Sequence, residues 1–304
     1  MEKFRGVDYY GIEALLGEEE RMVRDAVRDW VEAEFLPIIQ QHHRDGTFPT
    51  HLIPKLGEMG IFGATLKGYG CAGLNNVAYG LIMQELERGD SGLRSCASVQ
   101  SALVMYPIYS YGSEAQKEKW LPGLQKGEVV GCFGLTEPDH GSDPGSMKTR
   151  ALRKGNRYVL NGTKLWITNG SIADVAVVWA KDDENEICGY LVEKGAPGFS
   201  TLEIPGKFSM RASITSELSF QDCAIPLENK LPGVKGLRGP LSCLSQARYG
   251  IAWGAIGAAM ACYDWALQYA QTRVQFGKPI AQFQLVQRKL VWMLTEITKA
   301  QLLA

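Results

Sequence analysis

Residues 157–169 read RYVLNGTKLWITN, and this stretch decides how the middle of the chain is expected to fold. Apolar residues alternate with polar ones on both sides of Asn161-Gly162, and they are Tyr158, Leu160, Leu165 and Ile167. Such alternation is typical of a half-buried strand, and Asn-Gly favours the two-residue turn of a β-hairpin. The stretch therefore predicts a hairpin whose turn is residues 161–162.

Strand-like runs continue on the C-terminal side of this hairpin, at residues 173–181, 186–194 and 217–225. Turns that contain Gly, Pro or Asp separate them, as expected between short strands. The pattern predicts an antiparallel sandwich or barrel of about a hundred residues.

The flanking segments have a helical period instead. Apolar residues recur at three- and four-residue steps over residues 20–39 and 75–88, and Ser113 with Gln116 forms a capping-box pattern. A long helix is expected over residues 241–274, and Pro279 separates it from a second helix. The fold class is therefore α+β: an N-terminal helical domain (1–128), a middle antiparallel β-domain (129–238) and a C-terminal helical bundle (239–304), which we expect to be incomplete because TEITKAQLLA ends without a helix stop.

Composition excludes several classes of function. The chain has 304 residues, is 45% hydrophobic and 21% charged, and has a formal net charge of -1, so a nucleic-acid partner is not expected. The apolar run at residues 251–262 is too short to span a bilayer and predicts a buried helix rather than membrane insertion. The N-terminus lacks a secretory signal and is too acidic for a mitochondrial presequence, which favours a cytoplasmic location, or the mitochondrial matrix for a processed form.

The sequence also gives little support for a metal site or a nucleotide-binding motif. The seven cysteines are scattered without a CxxC pair, and the four histidines have no HExxH spacing, so we expect reduced thiols and no metal. Asp139, His140 and Asp143 alone are a weak metal signal, because such loop spacing is common by chance. GxxxxGK[ST] does not occur, and the GxGxxG match at residues 68–73 follows no predicted strand, so a dinucleotide fold or a P-loop is disfavoured.

Four motifs, in this order along the chain, resemble the acyl-CoA dehydrogenase family: CFGLTEPDHGSD (132–143), LNGTKLWITNGSIAD (160–174), ARYGIAWG (247–254) and RVQFGKPIAQFQLVQ (273–287). KGYGCAG (67–73) and ELERGDSGLRSCASVQSALV (85–104) resemble its glutaryl-CoA dehydrogenase branch. The resemblance covers nearly the whole chain. It implies the helical, β and helical domain order that the periodicity predicts.

The resemblance implies FAD as cofactor. A flavin has a polar pyrimidine edge, which needs hydrogen-bond donors in a site that excludes water. The residues that match the family's flavin contacts are Phe133, Gly134, Leu135, Thr136, Gly141, Ser142, Trp166, Ile167 and Thr168, with Arg273 and Gln284 reaching the FAD of a neighbouring subunit. A homo-oligomer, usually a tetramer, follows from that resemblance. Taken singly, each residue has a structural explanation, such as Trp166 being a core aromatic residue.

The resemblance also implies an acyl-CoA substrate. Arg94, with Ser95 beside it and Glu87 as its partner, matches the group that contacts the far carboxylate of glutaryl-CoA, and a guanidinium can bind a carboxylate with two hydrogen bonds. The alternative is a surface pair of Arg94 with Asp90. The segment that matches the CoA contacts comprises Ser142 together with Leu241, Ser242, Cys243, Leu244, Ser245, Gln246, Ala247 and Arg248. Gly250, Gly254 and Gly257 are interpreted as helix-packing glycines.

The implied reaction is α,β-dehydrogenation of a thioester, with electron-transferring flavoprotein as acceptor and roles in lysine, tryptophan and fatty-acid degradation. The family's catalytic glutamate is expected beyond Ala304, and Glu296 matches no base motif, so no catalytic residue is assigned. The chain alone is then expected to be inactive. A short-chain acyl-CoA oxidase, a non-catalytic acyl-CoA- or partner-binding fragment, and either outcome for decarboxylation remain open.

Overall fold

The computed structural model describes Phe4 and residues 6–304; residues 1–3 and 5, which the predicted first domain includes, lie outside the described residues. The N-terminal part is helical, as predicted. Its helices are α1 (Glu18–Trp30), α2 (Leu36–Asp45), α3 (Ile53–Glu58), α4 (Asn76–Gly89), α5 (Ser91–Ser98), α6 (Tyr106–Tyr111) and α7 (Glu114–Lys126). Two π-helical segments, Val31–Phe35 and Val99–Met105, continue α1 and α5.

The capping box at the start of α7 is confirmed. The Gln116 backbone N–H donates to the Ser113 hydroxyl at 3.3 Å, and the Ser113 N–H donates to the Gln116 side-chain oxygen at 2.8 Å. These bonds satisfy two backbone donors that a helix start leaves without partners. The helix ends at Gly127, whose φ of 68° is the left-handed conformation that glycine adopts most readily.

The middle of the chain forms one mixed sheet of seven strands. They are β1 (Gly131–Gly134), β2 (Arg150–Lys154), β3 (Arg157–Thr168), β4 (Val175–Lys181), β5 (Ile187–Glu193), β6 (Phe199–Glu203) and β7 (Thr215–Pro226). Most neighbours are antiparallel, as predicted, but β1 pairs with β4 in parallel, in the register Gly131 to Val175, and β2 pairs with β4 in parallel at Arg150 to Lys181. The sequence pattern did not predict these parallel pairs, since periodicity carries no information on strand direction.

The predicted hairpin at Asn161-Gly162 is wrong. The chain turns earlier, at Gly155-Asn156 between β2 and β3, and β3 runs through Asn161 and Gly162 in one strand. Gly162 has φ 147° and lies at an irregularity in the pairing of β3 with β7. Close packing explains why this residue is glycine, because a Cβ at position 162 would lie 2.7 Å from the Thr149 Cα. The dipeptide therefore marks a close backbone approach and not a turn.

The C-terminal part is helical, as predicted. It consists of α8 (Arg238–Thr272), a short hairpin of β8 (Val274–Gln275) and β9 (Lys278–Pro279), and α9 (Gln284–Leu303). Residues 251–262 lie in α8, but the prediction that they are buried holds for one side only: Trp253 and Ile256 are buried, whereas Ile251 is 46% exposed.

The chain divides into two compact units. The first comprises Met1–Gln40, Asn76–Arg94 and Tyr249–Ala304, and the second comprises Gln41–Asn75 and Ser95–Arg248. The core of the second unit is formed by buried side chains of the sheet, among them Leu160, Tyr190 and Phe220. A smaller core in the first unit contains Phe4, Ile256, Met260 and Ile297. The domain boundaries at residues 128 and 238 stay a prediction.

The cysteines, the potential metal ligands and the apolarity of the helices can be compared with what the composition predicts. All seven cysteines are free thiols, and five of them are buried. In Phe4 and residues 6–304, no three His, Cys, Asp or Glu side chains come together in a way that could hold a metal ion. Over the same residues, no helix combines the length and apolarity that crossing a bilayer requires.

Candidate functional site

A cavity of about 330 Å³ opens in the second unit, where the end of β1, the bulged part of β3 and the first turns of α8 meet. Eleven residues that the resemblance marks line it: Phe133, Leu135, Thr136, Gly141, Ser142, Trp166, Ile167, Thr168, Leu241, Leu244 and Arg248. Its walls combine apolar side chains with three hydroxyls and one guanidinium. This chemistry suits a ligand that is flat and apolar in part and polar at its edges.

The loop that follows β1 provides one wall. Glu137 and His140 exchange backbone hydrogen bonds at 3.2 Å, which makes a tight turn after Thr136. The Thr136 carbonyl accepts a hydrogen bond from the Leu165 N–H at 2.9 Å, so the loop is joined to β3 beside Trp166. Asp143 accepts from the Ser146 hydroxyl at 2.6 Å. The polar residues of CFGLTEPDHGSD thus build the loop that places Leu135, Thr136 and Ser142 at the cavity.

Trp166 owes its position to a β-bulge. The pairing of β3 with β7 shifts between Lys164 and Ile167, and Trp166 has φ 62°. In a regular strand Lys164 and Trp166 would share a face, but Lys164 is fully buried and Trp166 is 59% exposed. A left-handed backbone at a bulky residue is unfavourable and is concentrated at functional sites. The explanation of Trp166 as a core aromatic residue is therefore wrong.

Six of the predicted contact residues in β1 and α8 do not line the cavity. Gly134 faces Lys164 and Leu218. Ser242 bonds to the Tyr111 hydroxyl at 2.7 Å, and Cys243 is fully buried. Ser245 bonds back to the Leu241 carbonyl, and Ala247 and Gln246 are also absent from the lining. On one helix, only residues spaced three or four apart share a face, which is why Leu241, Leu244 and Arg248 reach the cavity and their neighbours do not.

Two groups of residues at this site were not predicted from the sequence. Val99, Leu103 and Pro144 line the cavity, and the repeat of apolar residues after α5 could have indicated the first two. The second group is a buried ion pair, in which the Lys164 ammonium lies 2.9 Å from the Glu137 carboxylate. A lysine in a strand pattern gives no sign of burial, since most lysines are exposed.

Burial and hydrogen-bond partners shift the pKa values of both members of this pair. Burial alone would raise the pKa of Glu137, but the Lys164 charge and the N–H groups of Lys148 and Thr149 lower it to about 2. Burial lowers the pKa of Lys164 to about 8, although the Glu137 carboxylate opposes this change. Both groups are therefore charged at neutral pH.

Arg94 and Glu87 form a second buried ion pair, in the first unit. The Arg94 Nε lies 2.5 Å from one Glu87 oxygen, and Nη2 lies 3.3 Å from the other. Their side chains are only 10% and 9% exposed. The alternative of a surface pair with Asp90 is thus wrong, because Arg94 is buried and its carboxylate partner is Glu87. Ser95, next in α5, is also buried.

Arg273 and Gln284, also in the first unit, are exposed. Arg273 lies just after α8, and Gln284 begins α9. Neither belongs to the cavity lining.

Family models describe three successive parts of the chain. The N-terminal domain of acyl-CoA dehydrogenase matches residues 17–128, its middle domain matches 132–223 and its C-terminal domain matches 234–304. The chain belongs to the acyl-CoA dehydrogenase family. The resemblance and the α+β fold of a helical, a β and a helical part are confirmed, and the family consists of FAD-dependent oxidoreductases.

Two solved structures and one curated protein illustrate what this chain is similar to. Glutaryl-CoA dehydrogenase from Mycobacterium smegmatis is 52% identical, with a TM-score of 0.96 over 99% of this chain and 78% of that chain. A structure of a glutaryl-CoA dehydrogenase from the same organism, in complex with FADH2, is 48% identical, with a TM-score of 0.96 over 98% and 77%. The rat mitochondrial short-chain specific acyl-CoA dehydrogenase is 38% identical over 295 residues, which are 95% of this chain and 71% of that protein.

The cavity residues fit the family's cofactor. A flavin ring needs apolar contacts on its faces, which Trp166 and Ile167 offer, and polar groups at its edge, which Thr136 and Thr168 offer. Ser142 and Arg248 add a hydroxyl and a positive charge that suit phosphate groups.

Proposed function

We propose that this chain binds FAD and an acyl-CoA thioester and serves α,β-dehydrogenation, with glutaryl-CoA as the favoured substrate. The observation that supports a dicarboxylic substrate is the buried Arg94–Glu87 pair. The similar proteins include a glutaryl-CoA dehydrogenase and a short-chain specific acyl-CoA dehydrogenase, so similarity alone does not select the substrate. The proposal of glutaryl-CoA therefore depends on the Arg94–Glu87 pair.

A buried arginine is costly unless it is paired, and Glu87 supplies that pairing here. Glu87 occupies Nε and Nη2, so the guanidinium keeps Nη1 for a further acceptor. A substrate carboxylate is an acceptor of the right charge, whereas a methyl end would gain nothing from a guanidinium. Arg94 therefore favours an acyl chain with a distal carboxylate.

FAD supplies the acceptor for the hydride that leaves the β-carbon of the thioester. The residues of this chain provide the surroundings: Leu135 and Thr136 would hold its polar edge, Trp166 would cover a ring face and exclude water, and Ser142 would contact phosphate. Removal of the α-proton needs a base, and we assign none of the described residues to that role.

Ligand affinities and the absorbance of the bound flavin test this proposal. The purified protein is expected to bind FAD, and calorimetric titration is expected to give a dissociation constant for glutaryl-CoA about tenfold or more below that for butyryl-CoA, the effect of one charged hydrogen-bonded pair. Equal affinity for the two would defeat the role of Arg94. With a full-length relative that carries the base, bleaching of the yellow flavin under anaerobic conditions with glutaryl-CoA would show dehydrogenation. Peroxide released in air would identify an oxidase instead.

An oligomer forms part of the proposal. Arg273 and Gln284, the expected contacts to a neighbouring subunit's FAD, are exposed, and so are the apolar side chains of Phe276 (93%) and Leu285 (76%) beside them. Exposed apolar residues next to polar ones are common at subunit interfaces. Light scattering is expected to give a mass above that of one chain. A monomer that binds FAD as tightly as its relatives do would contradict this part.

A further inference from the structure

Lys164 and Glu137 form an ion pair that lies behind the cavity wall. Lys164 is fully buried and Glu137 is 5% exposed, and neither belongs to the cavity lining. Burying two charges costs more than their attraction returns unless further hydrogen bonds satisfy them. The partners of this pair are therefore informative about its role.

The Lys164 ammonium holds one end of the loop that follows β1. Besides Glu137, it donates to the Leu135 carbonyl at 3.1 Å. A trans peptide is planar, and its C=O and N–H point in opposite directions. The N–H that shares this peptide belongs to Thr136 and so points away from Lys164, and both Leu135 and Thr136 line the cavity.

Glu137 holds the other end of the same loop. Its carboxylate accepts from the Lys148 N–H at 2.6 Å and from the Thr149 N–H at 3.0 Å. One ammonium–carboxylate pair thus joins both ends of residues 135–149. The residues between them bring Gly141 and Ser142 to the cavity.

We propose that Lys164 is a positioning residue for the cofactor site, which fixes the Leu135–Thr136 peptide and polarises its N–H as a donor to the cavity. The inference rests on the proposed FAD site. Hydrogen bonds in series strengthen each other, and a charged donor at the carbonyl makes the N–H of the same peptide a stronger donor. A stronger donor at the polar edge of a flavin favours its electron-rich form and raises its reduction potential.

The test uses a variant without either charge, Lys164→Met with Glu137→Gln, so that no buried charge is left unpaired. We expect about a tenfold rise in the FAD dissociation constant, as for the loss of one hydrogen bond, and a lower flavin reduction potential. A purely structural pair would leave the potential unchanged. The matched control is Lys119→Met with Glu193→Gln, an exposed pair at 2.6 Å in the same unit, which should change neither value.

Hydrogen exchange measures how firmly the loop of residues 135–149 is held when no cofactor is bound. In the FAD-free protein, amides of residues 135–149 are expected to exchange faster in the Lys164/Glu137 double variant than in the control. A protein that binds no FAD would defeat the proposed function, and this exchange measurement would still decide on the loop. Unchanged exchange, an unchanged potential, or a double variant that fails to fold would each overturn the proposal, the last because the pair would then stabilise the whole fold.

Discussion

At the scale of one residue, Gly254 does more than allow close helix packing, because it lies directly against the Glu87 carboxylate. A Cβ at this position would overlap the Glu87 carboxylate oxygen and lie 3.0 Å from its Cδ. The obstacle is the far end of a side chain and not backbone, so Glu87 can move aside, but it would then leave Arg94. The missing side chain at Gly254 therefore preserves the Arg94–Glu87 pair.

We predict that Gly254→Ala lowers the preference for glutaryl-CoA over butyryl-CoA by about tenfold, because a displaced Glu87 no longer orients the guanidinium. The ratio of the two dissociation constants measures this. Gly250→Ala is the matched control on the same helix, since its Cβ would lie 3.1 Å from the Met83 side chain and does not meet Glu87. A preference that survives in Gly254→Ala as it does in Gly250→Ala would show that Glu87 does not orient Arg94.

At the scale of one element, strand β3 shows that a glycine in a turn and a glycine in a strand have different roles. Gly155 lies in the turn before β3 with φ 63° and open space around it, whereas Gly162 lies inside the strand with φ 147° and the Thr149 backbone against it. An alanine at Gly155 meets only a modest backbone cost, while one at Gly162 meets both backbone strain and a steric clash.

We predict that Gly162→Ala destabilises the protein by about 2–4 kcal/mol, and Gly155→Ala by about 1 kcal/mol. Urea unfolding followed by circular dichroism would give the two midpoints. Similar midpoints for both variants would mean that Thr149 shifts readily to admit a methyl group.

The same strand shows what the sequence could predict and what it could not. Alternation identified the strand residues and the helical period identified α1, α4 and α8, because both patterns record which side is buried. The turn was misplaced, since Asn161-Gly162 has the composition of a turn but is held extended by β7 and by Thr149. The bulge at Trp166 and the buried Lys164 depend on tertiary contacts that no local pattern contains. At the site, the resemblance indicated eleven cavity residues, but not the ion pair behind them.

At the scale of the whole molecule, Glu137 couples stability to pH. Its pKa is lowered to about 2 from an ordinary value of 4.5, so between these values the unfolded chain binds a proton that the folded chain does not. The stabilisation from this group is complete above pH 4.5 and is lost as the pH falls towards 2.

We predict that the stability of the native protein falls more steeply over this acid range than that of the Lys164→Met/Glu137→Gln double variant, which has no such proton to bind and leaves no buried charge unpaired. Unfolding midpoints in urea at a series of pH values would show the difference in slope. Parallel slopes for the two proteins would mean that other carboxylates account for the acid sensitivity.

The two compact units also differ in how far apart along the chain their segments lie. The second unit is complete at Arg248, whereas the first needs Tyr249–Ala304 to join segments near the start of the chain. Closing longer loops is slower, and chains fold as they emerge from the ribosome. We expect pulse-labelled refolding to protect amides of β4 and β5 before those of α4, and the reverse order would contradict this. The cavity wall, which includes the first turns of α8, would then form during synthesis before the later part of α8 that packs Gly254 against Glu87 has been made.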